Sequence, residues 1–242
     1  MLKVYRMRVL ALDSTGRAGS VALVEDGRVV REMEGDASRT HGERLPGELA
    51  ALGAPFSSVD LFAVASGPGS FTGLRIGIAT MQGLALVRKR PVVGVSALEA
   101  LAQLASRKLD PGSLVACWID AHRGEVFSAL YRVTDAALFT PERLTELEGA
   151  AVAGPERTLA EWSGHQLRDA TFTGDGARRY QQAVPVSGGA GSLGASEPLA
   201  GAIGCMATVS AARGLAVEPG AVHALYVRRP DAELHRDRTV VS

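Results

Sequence analysis

The chain has 242 residues, of which 46% are hydrophobic and 21% charged, with a mean hydropathy of +0.10; this is a globular composition, long enough for one large domain or two small ones. Its 26 Lys and Arg balance 26 Asp and Glu, so the basic excess of a protein that grips nucleic acid unaided is missing, and any RNA contact is local or shared with a partner. Cys117 and Cys205 stand apart with no CxxC pairing, which excludes a disulfide framework and points to reduced, cytoplasmic thiols.

No apolar leader precedes the first strand, and Arg75, Gln82 and Arg88 break the most apolar windows, well short of the ~20 clean residues of a membrane span. The expectation is a cytoplasmic protein with no membrane contact. In chain order, Arg8–Asp13 (RVLALD) is an apolar run ending in a carboxylate. Ser20–Glu34 carries Glu25, Asp26 and Gly27 between two β-rich runs, so the front reads as a three-stranded meander. Leu45, Leu49 and Leu52 recur at i, i+4 and i+7, one apolar stripe of a helix, capped by Ser38 or Thr40 and kinked early by Pro46. Leu61–Ser66 reads as a buried strand, the glycine-rich run after it as a turn and helix, Val92–Val95 as a strand and residues 97–108 as a helix.

The pattern then restarts. Leu114–Val133 reads as a strand ending at Asp120, a turn through Arg123 and Gly124, and a second strand. The front of the chain has the same plan, with Asp13 and a turn through Arg17 and Gly19, which implies a duplicated unit. Further on, PERLTELEG (141–149) and RTLAEWSG (157–164) read as helices, and residues 170–180 as strand, glycine turn and helix. Residues 187–198 form a low-complexity connection. Residues 199–214 are a small-residue helix ending at Gly214, and the tail from His223 is polar with mixed charge.

The stretch SGPGSFTGLRIGIATMQGLAL (66–86) invites a phosphate-binding reading, which its spacing denies. Leu74 and Arg75 stand where a Walker A loop needs Lys and Ser/Thr; Gly67, Gly69 and Gly73 give GxGxxxG rather than GxGxxG. Ser70 has Pro68 where a nucleophile elbow needs glycine. Gly73 and Gly77 fall one helical turn apart, with Ala79 and Gly83 extending a narrow surface. Glycine inside a helix costs roughly 0.8–1 kcal/mol against alanine, so the surface points to close helix packing or a partner face. Asp13 and Asp120, each ending a strand, read in two ways: as carboxylates that hold a magnesium–phosphate ligand or orient water in a cleft between lobes, or as turn caps. His41, His122, His165, His223 and His235 have no HxxxH or HExxH spacing, so no metal site is expected.

GPGSFTGLRIG (67–77) resembles the signature of the TsaB (YeaZ) family, the bacterial non-catalytic subunits of the tRNA threonylcarbamoyladenosine synthase. The likeness extends through LALDSTGRAGSVAL, RTHGERLPGEL, VVGVSALEALA, IDAHRGEVFSALY, GDGA and ALYVRRP. Residues 1–6 lack a counterpart, which leaves both Met1 and Met7 open as the start. The resemblance implies an α/β, actin-like (ASKHA) two-lobed fold of duplicated β-β-β-α-β-α units. Residues 7–103 would form the N-terminal lobe, with 200–230 packing on it, and 104–199 the C-terminal lobe. It implies an activating subunit that dimerises with the catalytic TsaD-type paralogue, which transfers threonylcarbamoyl to the adenosine beside the tRNA anticodon. A small P-loop ATPase completes the complex, tRNA is reached through the complex, and the chain alone is a homodimer. The metal-binding histidines of TsaD fall at Ala97 and Leu101, with Glu99 kept, and neither an alanine nor a leucine side chain coordinates a metal. No catalytic residue is expected, and no cofactor beyond weak ATP or ADP binding at the interface with the partner. The resemblance puts that interface on Leu45 and Leu49 of one helix and Ser70, Phe71, Gly73, Leu74, Gly77 and Met81 of the signature helix. The competing reading is an actin-like ATPase or kinase acting through Asp13 and Asp120.

Overall fold

The computed structural model describes residues 6–185, 193 and 197–227; most of the low-complexity connection and the tail beyond Val227 lie outside them. Two sheets carry the fold. The first has the order β3-β2-β1-β4-β5, from β1 (Arg8–Asp13), β2 (Ser20–Glu25), β3 (Arg28–Glu34), β4 (Leu61–Gly67) and β5 (Val92–Ser96). The second has the order β8-β7-β6-β9, from β6 (Leu114–Asp120), β7 (Val126–Val133), β8 (Leu144–Ala153) and β9 (Thr171–Thr173). In each, an antiparallel meander is followed by a strand parallel to the first, β4 beside β1 and β9 beside β6. Helices fill the crossovers in the same places: α1 (His41–Ala51) and α2 (Phe71–Arg88) in the first unit, α4 (Pro155–Glu161) and α5 (Asp175–Arg179) in the second. The β-β-β-α-β-α unit therefore occurs twice, the actin-like plan.

Five layers result. Helices α1 and α2 cover one face of the first sheet, with Leu45, Leu49, Ile78, Met81 and Ala85 against Leu10, Leu12, Phe62 and Val64. Trp162 and Ala177 cover the outer face of the second sheet over Trp118, Leu130 and Phe172. Between the sheets lie α3 (Ala97–Ala105) and α6 (Ala200–Ala212), in a core shared by Val9, Ala11, Val24, Val115, Cys117 and Phe127. Strands β1, β2 and β4 are apolar almost throughout because both of their faces are covered. The same enclosure explains α6, whose residues Ala200–Ala207 are all buried: apolar all round, it fits only between layers. The boundary expected after residue 103 falls inside α3, which packs between the two sheets.

Local chemistry sets the helix ends. Thr40 caps α1: the Glu43 carboxylate accepts from the Thr40 backbone N–H at 2.9 Å and its hydroxyl at 2.8 Å. The helix runs through the exposed Pro46, so the bond that Pro46 cannot donate is lost on the solvent side. One expectation fails: residues 141–149 are not a helix but a short 3-10 turn, Pro141–Arg143, followed by strand β8. The i, i+3 spacing of Leu144 and Leu147 suits a helix, but pairing with β7 overrides it, with a register shift beside Leu147. Among the described residues no helix is long and apolar enough to cross a membrane.

Candidate functional site

Glycines of the signature are shaped by the chain's own first turn. A Cβ on Gly69 would lie 2.5 Å from the Thr15 Cβ, and on Gly73 it would run into the Ser14 carbonyl oxygen. On Gly77 it would meet the Ser14 hydroxyl, with the Ser14 Cβ at 3.0 Å. The Ser70 N–H donates to the Thr15 carbonyl at 2.8 Å, and the Ser70 hydroxyl caps α2 by accepting from the Gly73 N–H at 3.2 Å. Helix α2 therefore wraps the Asp13–Ser14–Thr15 turn, and the glycines give that turn its room.

The residues expected at the contact face divide between interior and surface of the single chain. Gly73, Leu74, Gly77 and Met81 are buried within the chain, as are Leu45 and Leu49, leaving Ser70 and Phe71 as the exposed members of the set. The signal was present in the sequence: Leu74, Ile78, Met81 and Ala85 mark the inward stripe, and Gly77 lies on it. On the opposite side Thr72, Ala79 and Gly83 form a ridge of small residues, and a Cβ on Gly83 would meet nothing within 4 Å. Leu86 and Val87 prolong the ridge at 70% and 79% exposure. On its α1 side, Ile76, Thr80 and Leu84 line a groove of about 270 Å³ shared with His41, Leu45 and Leu49.

A buried arginine, which sequence reading missed, ties α1 to the same turn. The Arg44 side chain is 2% exposed. Its Nη1 donates to both Glu48 oxygens at 2.8 and 2.7 Å, and its Nη2 donates to the Ala18 carbonyl and lies 2.6 Å from His41 Nδ1. His41 Nε2 sits 3.1 Å from the Gly16 carbonyl, the geometry of an imidazole donating there and accepting from Arg44. Burial holds the His41 pKa below its ordinary value, and the Arg44 charge depresses it further.

Between the lobes lies a cleft of about 280 Å³ whose lining includes Asp13, Glu34, Leu101, Asp175 and Glu197, but not Asp120. Asp13 and Asp120 are both turn caps of one design. Asp13 Oδ1 accepts from the Thr15 N–H at 2.9 Å and hydroxyl at 2.6 Å, and Asp120 Oδ1 from the His122 N–H at 3.0 Å. The second Asp120 oxygen is held by Arg179 at 3.1 Å. The carboxylate that faces Asp13 across the cleft is Asp175, which also accepts from the Asp120 N–H at 2.9 Å. Burial raises the Asp13 pKa, although the Thr15 bonds oppose the shift. Asp175 was legible as part of a glycine turn, but nothing in its spacing reveals that the second lobe turns it inward. Ala97 and Leu101 are core residues, whereas Glu99 is half-buried with its pKa raised by burial and then by Glu146.

A family model described as "TsaD: tRNA N6-adenosine threonylcarbamoyltransferase" matches residues 35–237. The "tRNA threonylcarbamoyladenosine biosynthesis protein TsaB" of Haemophilus influenzae is 40% identical over 187 residues, 74% of this chain and 76% of that protein. The protein so described from Escherichia coli is 40% identical over 154 residues, spanning 62% of this chain and 64% of the relative's length. A crystal structure described as an uncharacterized protein with similarity to peptidase YEAZ from Pseudomonas aeruginosa superposes with a TM-score of 0.74 at 34% identity, covering 92% of this chain and all of that one.

Proposed function

We propose a role that follows from membership: this chain belongs to the TsaB (YeaZ) family, and within threonylcarbamoyladenosine biosynthesis it is the non-catalytic subunit that activates a TsaD-type transferase by docking. The observation that carries this reading is the outward ridge Thr72–Ala79–Gly83 of α2, flanked by Ile76, Leu86 and Val87. Small residues on a solvent-facing helix let a second backbone approach closely, and the apolar flanks gain from being covered. Because the TsaD model itself matches a stretch containing α1 and α2, the transferase is a partner of like fold, able to meet this helix with a corresponding one. The same self-complementarity makes the chain a homodimer when alone. A small P-loop ATPase and tRNA complete the assembly.

The chain's own chemistry supports the pseudoenzyme reading over an ATPase. Asp120 is engaged by Arg179 and its own turn, and the cleft lining sets Asp13, Glu34, Asp175 and Glu197, the last paired with Arg107, against Arg17 alone among the described residues, an excess of carboxylate that repels a polyphosphate without its metal ion. Weak ATP or ADP binding belongs at the interface with the transferase. The test is Gly83→Trp, a substitution into open space that spares the core. Folded protein that no longer dimerises in light scattering, no longer binds the transferase and no longer supports tRNA modification is the expected result. Unchanged assembly would remove the ridge from the interface, and modification by the transferase without this chain would end the subunit reading.

A further inference from the structure

Charge along this chain is unevenly placed. Residues 61–98 contain Arg75, Arg88, Lys89 and Arg90 and not one Asp or Glu, and residues 219–227 contain none either. The fold brings these two stretches together. The C-terminal strap crosses the edge of the first sheet, with Val217 paired to Val92 and the Leu225 N–H donating to the Ser66 carbonyl at 2.7 Å. It then runs beside α2, where Gln82 Nε2 donates to the Val222 carbonyl at 2.9 Å. In a chain of zero net charge, two acid-free stretches thus build one face, bracketed by Asp60, Glu99 and Glu218.

Arg88, Lys89 and Arg90 lie at the far end of α2, where Arg90 pairs with Asp60 at 3.5 Å; at the near end Arg75 stands among aromatic rings. Phe71 and Tyr226 are 42% and 43% exposed, with ring centroids 5.3 Å apart at 39°. Arg75 lies over Phe71 with its Cζ 3.8 Å from the ring centroid, and its Nε donates to the Tyr226 hydroxyl at 3.2 Å. Next to them a groove of about 550 Å³ runs between α2 and the strap, with Ile78, Ala79 and Val222 as apolar lining, Arg75, Gln82, His223 and Tyr226 as polar groups, and, among the described residues, no carboxylate. An apolar protein segment would leave this guanidinium without an anion. A single-stranded nucleotide would use both halves, its base against the aromatic rings and its phosphate against Arg75.

We propose that the strap side of α2, formed by Phe71, Arg75, His223 and Tyr226, is an RNA-contacting surface that takes an unpaired nucleotide with its phosphate. It adjoins the docking ridge and shares only Ala79 with it. The proposal rests on the chain's role in tRNA modification, but not on the ridge being the protein interface. It replaces purely indirect contact with tRNA by a local one, which a chain of zero net charge permits.

The probe is a fluorescein-labelled, unmodified tRNA anticodon stem-loop, titrated by fluorescence anisotropy against the full chain and against its complex with the transferase. Phe71→Ala and Arg75→Gln should each weaken binding about fivefold or more. Arg75→Gln should also flatten the dependence of log K on log salt by about 0.7, whereas Arg75→Lys should keep that slope. Thermal melts and light scattering of the same variants should match the parent. Unchanged RNA affinity and slope would overturn the proposal. So would variants that lose the transferase while RNA affinity of the chain alone stays constant, because the face would then be a protein contact. Gly83→Trp separates the two ideas: RNA binding by the free chain should survive it whether or not assembly does.

Discussion

Three glycines of α2 should respond to the same small change in graded and opposite ways. Alanine at an exposed helical position gains roughly 0.8–1 kcal/mol over glycine. At Gly83, where an added Cβ meets nothing, that gain should appear in full. At Gly77 the methyl group would displace the Ser14 hydroxyl and sit 3.0 Å from its Cβ and 3.5 Å from Leu12 Cδ2. A rotamer change by Ser14 relieves part of this, so an overpacking cost of roughly 1–3 kcal/mol leaves a net loss of about 1 kcal/mol. At Gly73 the obstacle is the Ser14 backbone carbonyl, which cannot rotate away, so the cost lies near the top of that range and the net loss is about 2 kcal/mol. Urea melts at a protein concentration low enough to keep the chain monomeric measure all three. Gly73→Ala as stable as the parent, or Gly83→Ala less stable, would refute the inward wrap of α2 around Ser14.

Arg44→Met leaves the Glu48 carboxylate without its bidentate partner and should cost about 3 kcal/mol in denaturant melts; NMR titration should show the His41 pKa rising, since Arg44 helps to hold it down. Glu99 has a folded pKa raised above its ordinary 4.5, so its contribution is fully present below that pH and lost as pH rises through the folded value. Glu99→Gln should therefore be more stable than the parent near pH 7 and no more stable near pH 4, read by thermal melts across that range. Ser128 is 1% exposed, and its hydroxyl has no partner among the described residues; Ser128→Ala should raise stability by about 1 kcal/mol, measurable as a higher urea midpoint.

Much of the fold is legible because it is local. Turn residues at Glu25–Gly27 and the Leu45–Leu49–Leu52 stripe each report a structure formed by near neighbours. What escapes is the distant contact. The Leu74–Ile78–Met81–Ala85 stripe tells which way Gly77 and Gly83 face, but that the inward glycines meet the Ser14 turn, about sixty residues earlier, is written nowhere near them. The duplicated turns identify Asp13 and Asp120 as equivalents, and they are equivalent as caps. Which carboxylates share the cleft depends on how the lobes meet, and that places Asp175 opposite Asp13. Residues 141–149 were misread for a related reason, since an edge strand gains its pattern from its neighbour β7 rather than from itself.

Helix α6 imposes an order on synthesis. Its first turn is anchored on the opening meander, where the Ala200 N–H donates to the Ser20 hydroxyl at 3.0 Å across 180 residues of sequence, and Gly204 lies against Val24 and Ala11. At roughly 5–20 residues per second, that helix reaches the ribosome exit some 10 to 40 seconds after the strands it covers. For that interval Val9, Ala11, Ala22 and Val24 present one apolar sheet face with nothing to close it, while the second sheet, contiguous in sequence, can already assemble. The half of the molecule made first is thus finished last, and the nascent chain spends the interval with that apolar face open to water.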